Sequence, residues 1–396
     1  MEYAYRSKVL DRLGVRSWIN ARNWSTVIGG NWIDDRVLDA MNEVARTFVE
    51  MGELFRKADA RVAELCRVEE AHITLGAGTA IEYAVAGCLA GTDYAKWLKL
   101  PHTEGVRNEV LLPRGHYIGY TPQWSAPGGR IVEYGQAGAL GSLARELEAG
   151  ITDKTCCLSY TVSYNTVPRG AIPLPEIIAA GRQHGIPVVV DAASCLPPVA
   201  NLHTYTDMGA DIVCISGGKA IKGPNNTGLL LGQGKGAEIV KAVRDHTFPH
   251  YGWGRGHKIS KEQIVGLVVA LEIFVREGDA AYAGQMAMAE RFCRELRAIP
   301  HLEVTIVPND EHFHEHQVVP HVPRVLLQWN AQALGLSAKD LDAAMAREDP
   351  PVFLRNHIYF NYYTDKEWRL IDTFYLRKGE DDIVIERLKK ILSSAK

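Results

Sequence analysis

Pro187-Val188-Val189-Val190-Asp191 and, further along, Asp211-Ile212-Val213-Cys214-Ile215-Ser216-Gly217-Gly218-Lys219 decide the architecture. Each opens as a short run rich in β-branched residues and bounded by turn formers. That is the pattern of a strand covered on both faces. Each also ends on chemistry: Asp191 closes the first run, and Lys219 lies just past the end of the second. In a parallel sheet, ligands gather outside the carboxyl ends of the strands. The small residues ahead of Lys219 read as room for a bulky group to approach the amine.

Working outward, further strands are expected at Glu109–Leu112, Thr155–Ser159 and Gly228–Leu231, with helical segments between them. Leu174–His184 is one such segment, opened by Pro173 and Pro175 and closed by Gly185. Strand-helix alternation of this kind builds βαβ units and a mostly parallel sheet, so the fold class is α/β. Beyond about Lys258 the pattern changes. A long helix runs from Lys261 to about Glu277 and a second to about Ile299. Strands follow at Leu302–Val307 and Arg324–Trp329, then a helix near Ala338–Arg347. Strands around 353–360 and 370–374 and a helix over 381–393 close the chain. The expected division is a segment 1–45 packing on the small domain, a large domain 46–260, and a smaller α+β domain 261–396.

Composition limits the function. The 396 residues carry 44 Lys and Arg against 47 Asp and Glu, a formal net charge of −3. No global basic field is present to hold nucleic acid. Seven cysteines, an odd number, form no C-x-x-C pair and lie mostly in apolar stretches. They read as reduced core thiols in a cytoplasmic protein. The first residues lack the apolar core of a signal peptide, and the apolar run 265–275 is interrupted by Glu272. No membrane association is expected.

The third chemical element is Leu75-Gly76-Ala77-Gly78-Thr79-Ala80, small residues opening an apolar helix. Backbone N–H groups at a helix start, with a threonine hydroxyl, suit a phosphate. An amine after one strand, a carboxylate at another and a phosphate cradle together fit pyridoxal 5'-phosphate. The amine would attach the cofactor as a Schiff base, and the carboxylate would keep the pyridine nitrogen protonated.

On these motifs the sequence resembles the fold-type-I pyridoxal-phosphate enzymes, of aspartate-aminotransferase-like fold. Within them it is similar to the selenocysteine-synthase-like group that includes D-glucosaminate-6-phosphate ammonia-lyase. Asp191-Ala192-Ala193-Ser194, Gly209-Ala210-Asp211 through Gly217-Gly218-Lys219-Ala220, Gly223-Pro224 with Thr227-Gly228, and Ile19-Asn20-Ala21-Arg22 carry the likeness. The resemblance implies that Lys219 bears the cofactor and Asp191 meets its ring nitrogen. It implies that Ala77, Gly78, Thr79 and Ser216 hold the phosphate and that His116 stacks on the ring. It also implies that Arg355 clamps a substrate carboxylate through its bidentate fork, and that the enzyme is a homodimer or larger with sites at the subunit interface. Read singly, His116 could be a satisfied core histidine, and Arg355 a surface residue paired with Glu348 or Asp349.

The activity this implies is ammonia-lyase chemistry on a β-substituted amino acid. A racemase or an aminotransferase begins with the same step at Cα, and a catalytically quiet binding protein is a further alternative. Trp24, Trp32, Tyr164 and the run Tyr359-Phe360-Asn361-Tyr362-Tyr363 give the substrate region an aromatic character, with Trp24 and Tyr164 as substrate contacts. A sugar phosphate would want several cations there instead. Two decoys are set aside. Gly232-Gln233-Gly234-Lys235-Gly236-Ala237 fits a loose dinucleotide pattern but reads as a solvated turn. His312, His314 and His316 alternate as metal ligands might on a strand, but the chemistry inferred here needs no metal.

Overall fold

The computed structural model describes residues 7–136, 142–163, 171–307, 322–356 and 366–394. The chain forms two compact units, one built on Ile33–Asp279 and one on Met1–Trp32, Ala280–Glu311 and His321–Lys396. Strand β1 (Ile19–Ala21) belongs to the smaller unit.

The large unit is organised by a seven-stranded sheet. Its strands are β2 (Glu70–Thr74), β3 (Glu109–Pro113), β4 (Arg130–Tyr134), β5 (Thr155–Thr161), β6 (Val188–Asp191), β7 (Ile212–Ser216) and β8 (Gly228–Gly232). They lie in the order β2-β8-β7-β6-β5-β3-β4. Only β8 runs against its neighbours; β7, β6, β5, β3 and β4 pair in parallel. Both strands that open the sequence argument are buried throughout. Val189, Ile212, Cys214 and Leu230 pack with helix Gly76–Ala90 and helix Lys235–His246 in one core cluster. Val188 points to the other face, because side chains alternate along a strand. There, helix Leu174–His184 sits so close that a Cβ on Gly181 would lie 2.6 Å from Val188 Cγ2. The sheet is therefore covered on both faces, which is why its strands read as unbroken apolar runs. The helix ends at Gly185 in the left-handed conformation, as its sequence predicts.

The units divide at different places from those expected. Helix Lys261–Glu277 belongs to the large unit, where it packs along helices Asp35–Ala45 and Met51–Cys66. Its apolar stripe, including Ile264, Leu267, Leu271 and Phe274, is buried there. The N-terminal stretch that belongs to the smaller unit ends at Trp32. The dinucleotide-like stretch is strand end, turn and helix start rather than a solvated turn. A Cβ on Gly236 would fall 1.7 Å from the Asp211 carbonyl oxygen, so this glycine serves helix-strand packing.

The smaller unit holds strands β9 (Leu302–Val307), β10 (Arg324–Trp329), β11 (Val352–Leu354) and β12 (Glu367–Asp372). β12-β10-β9 form an antiparallel sheet, and β1 pairs in parallel with β11. Helices Ala281–Leu296, Ala338–Arg347 and Glu380–Ser394 close a core around Phe292, Trp329, Leu341 and Leu388. No described helix is long and apolar enough to cross a membrane. All seven cysteines are free thiols.

Candidate active site

Strand register gathers the site. Asp191, the last residue of β6, pairs with Thr161 of β5 and Cys214 of β7. Ser216, the last residue of β7, pairs with Gly228 of β8, which in turn pairs with Thr74 of β2. Since β8 alone is reversed, the carboxyl ends of β2, β7, β6, β5 and β3 emerge on one edge. Side chains more than a hundred residues apart in sequence thus share one rim.

Asp191 is 5% exposed, and its Oδ1 accepts a 3.0 Å hydrogen bond from the Ala193 N–H. Burial pushes its carboxyl above the usual range, while that hydrogen bond and the positive charge of Lys219 pull the other way. The thiol of Cys195, also pushed up by burial, feels both Lys219 and Asp191. The carboxylate therefore feels the charge of the Lys219 amine in a poorly solvated place.

Helix Gly76–Ala90 has no side-chain cap at its start, so the N–H groups of its first turn are open to an anion. Thr79 lies in that turn and is 8% exposed. Gly228 lets the helix start approach the sheet. A Cβ there would sit 2.4 Å from the Gly76 carbonyl carbon and 2.7 Å from the Ala77 nitrogen. Neither is a side-chain end that can swing away. Gly228→Ala is therefore expected to destabilise the protein by about 2 kcal/mol and to weaken cofactor retention. Thermal melting and cofactor titration check both; unchanged cofactor affinity would show that the helix start does not matter to the cradle.

The glycines before Lys219 serve a different purpose from the one their size suggested. A Cβ on Gly217 would meet Thr227 Oγ1 and Leu267 Cδ1 at 2.4 Å, and one on Gly218 the Asn225 carbonyl oxygen at 2.3 Å. Gly217 N–H donates to Thr227 O, and Gly223 N–H donates to Gly217 O. They make room for the 223–227 loop, which fixes the backbone that carries Lys219, rather than for a ligand.

His116 follows β3 and is 1% exposed. The Thr161 N–H donates to its Nδ1 at 3.2 Å, so in the neutral ring the proton sits on Nε2. Tyr160 packs edge-on against the imidazole, centroids 4.6 Å apart and planes at 81°. Sequence reasoning passed over Tyr160 and Thr161 because it ended this strand at Ser159. The β-forming residues continuing past that serine were the available signal. Among the described residues Thr161 Oγ1 is buried without a hydrogen-bond partner, as is Gln123 Oε1, and the Gln123 side chain lies beside Gly78.

In the smaller unit, Arg355 is fully buried rather than on the surface beside Glu348 or Asp349. Its Nη1 lies 3.7 Å from Asp372 Oδ2, which also takes Arg324 Nε at 3.1 Å. Trp24 is 6% exposed and packs edge-on against Phe374 and Tyr375, with centroids 5.8 and 6.4 Å away. It is buried to the same degree as Asp191 and His116. Tyr164, His312, His314, His316 and the aromatic run 359–363 lie outside the described residues.

The donor set fits pyridoxal 5'-phosphate. An uncapped helix start with Thr79 suits its phosphate, and Asp191 suits a ring cation whose arrival would relieve a buried carboxylate. The orphaned Thr161 Oγ1, paired in register with Asp191, is a hydroxyl with capacity for a polar ring substituent. The Aminotransferase class-V family model matches residues 128–251. A 5'-C-glycyluridine monooxygenase-decarboxylase from Streptomyces sp is 31% identical over 388 residues, covering 96% of this chain and 91% of that protein. A D-glucosaminate-6-phosphate ammonia lyase from Salmonella typhimurium is 29% identical over 391 residues, 98% of each. A solved structure of D-glucosaminate-6-phosphate ammonia-lyase superposes with a TM-score of 0.80 at 28% identity, over 98% of this chain and 99% of that one. Fold, strand-end chemistry and full-length relatives agree: the chain belongs to the fold-type-I pyridoxal 5'-phosphate-dependent enzymes, in the group of D-glucosaminate-6-phosphate ammonia-lyase-like proteins.

Proposed function

We propose that this enzyme is an ammonia-lyase that removes the Cα proton and the Cβ substituent of an amino acid, releasing a 2-oxo acid and ammonia. The observation that carries the reading is a buried Asp191 carboxyl at the end of β6 that feels the charge of Lys219, just past the end of neighbouring β7, with the uncapped helix start at Gly76 on the same edge. When bound, the cofactor supplies an electron sink for the pair left at Cα. Lys219 would hold it covalently, and its amine would serve as the base for the Cα proton. Asp191 balances the ring cation. Ala77, Gly78, Thr79 and Ser216 hold the phosphate.

His116 covers the ring face, its own orientation set by the Thr161 N–H and Tyr160. Arg355 binds the substrate carboxylate. That role is carried over from the family resemblance. Trp24 and Tyr164 keep the substrate contacts expected of them from the aromatic character of that region. We place the enzyme in the reducing cytoplasm, in keeping with seven free thiols, as a homodimer or larger assembly.

The Streptomyces relative is at least as similar as the ammonia lyase, and its name describes oxygen-dependent loss of a carboxyl group. One experiment separates these readings. The holoenzyme is screened against D- and L-amino acids bearing a β-hydroxyl or other β-leaving group, while ammonia, 2-oxo acid, carbon dioxide and dissolved oxygen are followed. Ammonia and 2-oxo acid in equal amounts, with oxygen constant and no added acceptor, is the expected result. Oxygen uptake with carbon dioxide release would replace the lyase reading with an oxidative decarboxylation. A requirement for an added keto acid would replace it with transamination.

A further inference from the structure

Thr161 ends β5 in register with Asp191, the last residue of β6. Partnered positions on neighbouring strands send their side chains to one face of the sheet. That face is the one covered by helix Gly76–Ala90. Cys157, Val189 and Cys214, at matching positions of β5, β6 and β7, all pack in the cluster that includes Ala80, Ile81 and Ala84 of this helix. The threonine hydroxyl and the aspartate carboxyl therefore stand side by side, on the side of the sheet that carries the proposed phosphate cradle.

Thr161 is 1% exposed, and among the described residues its Oγ1 has no hydrogen-bond partner. A buried hydroxyl without a partner destabilises a fold, and valine, of the same shape, would fill the position without that cost. The backbone N–H of the residue is engaged, donating to His116 Nδ1 at 3.2 Å. The hydroxyl is not. Rotation about χ1 moves Oγ1 among three staggered positions without moving the strand, so its hydrogen can be turned towards a neighbour on the same face.

The charged acceptor on that face is Asp191, whose Oδ1 takes the Ala193 N–H. Four other titratable groups surround the pair. Lys219 and Cys214 come from the β7 side, Cys195 from the loop after β6, and His116 from the end of β3. The positive charge that Asp191 feels in the cofactor-free chain is that of Lys219, and this amine is the one the cofactor would take up. A hydroxyl donor on the flank of the carboxylate then favours its ionised form.

We infer that Thr161 is the positioning residue of Asp191: with the cofactor bound, its hydroxyl donates to the carboxylate and holds it ionised against the ring nitrogen. The inference rests on the reading of Asp191 as the counter-charge of that nitrogen. The lone pairs of the hydroxyl remain for a polar ring substituent.

The test is nitrogen NMR of the full-length protein loaded with pyridoxal 5'-phosphate labelled at the ring nitrogen. It is titrated with pH in wild type, Thr161→Val, Thr161→Ser, Asp191→Asn and the Thr161→Val, Asp191→Asn double variant. In Thr161→Val the ring nitrogen is expected to lose its proton at least about one pH unit below wild type, the range for one hydrogen bond to a charged group. Thr161→Ser keeps the hydroxyl and should return the titration close to wild type. In the Asp191→Asn background, Thr161→Val should have no further effect. The apo form of Thr161→Val should melt no lower than apo wild type, because only an unpartnered hydroxyl has been removed. A ring-nitrogen titration indifferent to Thr161→Val overturns the inference. So does an equal shift in the Asp191→Asn background, or a serine variant that behaves like the valine one. An apo Thr161→Val chain that melts below wild type, or does not fold, assigns the hydroxyl to the fold and overturns it too. If wild type and Asp191→Asn titrate alike, the reading of Asp191 falls and the inference with it. A shift in Asp191→Asn without one in Thr161→Val removes the inference alone.

Discussion

Replacing Lys219 with alanine is expected to lower turnover by at least about 10³-fold, the range for removing a positioned proton-transfer group, and to abolish the violet absorption of the bound cofactor. The chain keeps its fold. The turn carrying the residue is held by backbone, through Gly217 N–H to Thr227 O, Gly223 N–H to Gly217 O and Lys222 N–H to Lys219 O, and the alanine keeps that last carbonyl. The cofactor itself is expected to be retained, loosely, by the proposed phosphate cradle at Gly76–Thr79. Lys219→Arg does not rescue turnover, since a guanidinium stays protonated and serves neither as nucleophile nor as base. Borohydride treatment of the wild type should fix the cofactor to a single peptide containing Lys219, and the variant should remain unlabelled. A Lys219→Ala enzyme that keeps its turnover, or a wild-type label on another lysine, would remove the central assignment.

The parts of this site that were legible in the sequence are those whose chemistry coincides with a strong local pattern. Ile212–Ser216 and Leu174–His184 appear in the structure with the bounds their residues predict, because burial on both faces and proline-glycine punctuation leave no competing conformation. Asp191 and Lys219 stand out as candidates because strand ends in a parallel sheet are where ligands bind. The role of Gly217 and Gly218 was not legible. Smallness in sequence does not say which neighbour needs the space, and here it is the 223–227 loop and Leu267. Arg355 looked like a possible surface residue because Glu348 and Asp349 precede it closely. Among the described residues it meets Asp372 of β12, and the bridge between Arg355 and Leu370 helps to bring the two together. The contacts of Trp24 with Phe374 and Tyr375 were not legible either, because both rings come from the far end of the chain and no local pattern records them.

Asp191→Asn is expected to move stability and activity in opposite directions. In the cofactor-free chain the carboxyl is buried, and burial raises its affinity for protons above that of an ordinary aspartate. The folded apoprotein therefore holds this proton more tightly than the unfolded chain does. The sign of the linkage follows: the favourable contribution is largest at acid pH and is lost as pH rises from the ordinary aspartate range through the raised folded value. At neutral pH the apoprotein keeps an ionised carboxylate in a place that disfavours it. Asparagine removes that charge, and its side-chain oxygen can still accept the Ala193 N–H. The apo variant should accordingly melt higher than apo wild type at neutral pH, with the difference shrinking in acid. With cofactor present the order reverses. The ring cation loses its counter-charge, so the variant should gain less thermal stability from the cofactor and lose at least about 10²-fold in turnover, because the electron sink weakens when the ring nitrogen gives up its proton. Differential scanning calorimetry of apo and holo forms across pH, beside steady-state rates, reads both effects. An apo variant that melts below apo wild type at neutral pH would show that the attraction of Lys219, not burial, dominates at Asp191. Unchanged turnover would show that the carboxylate does not face the ring nitrogen.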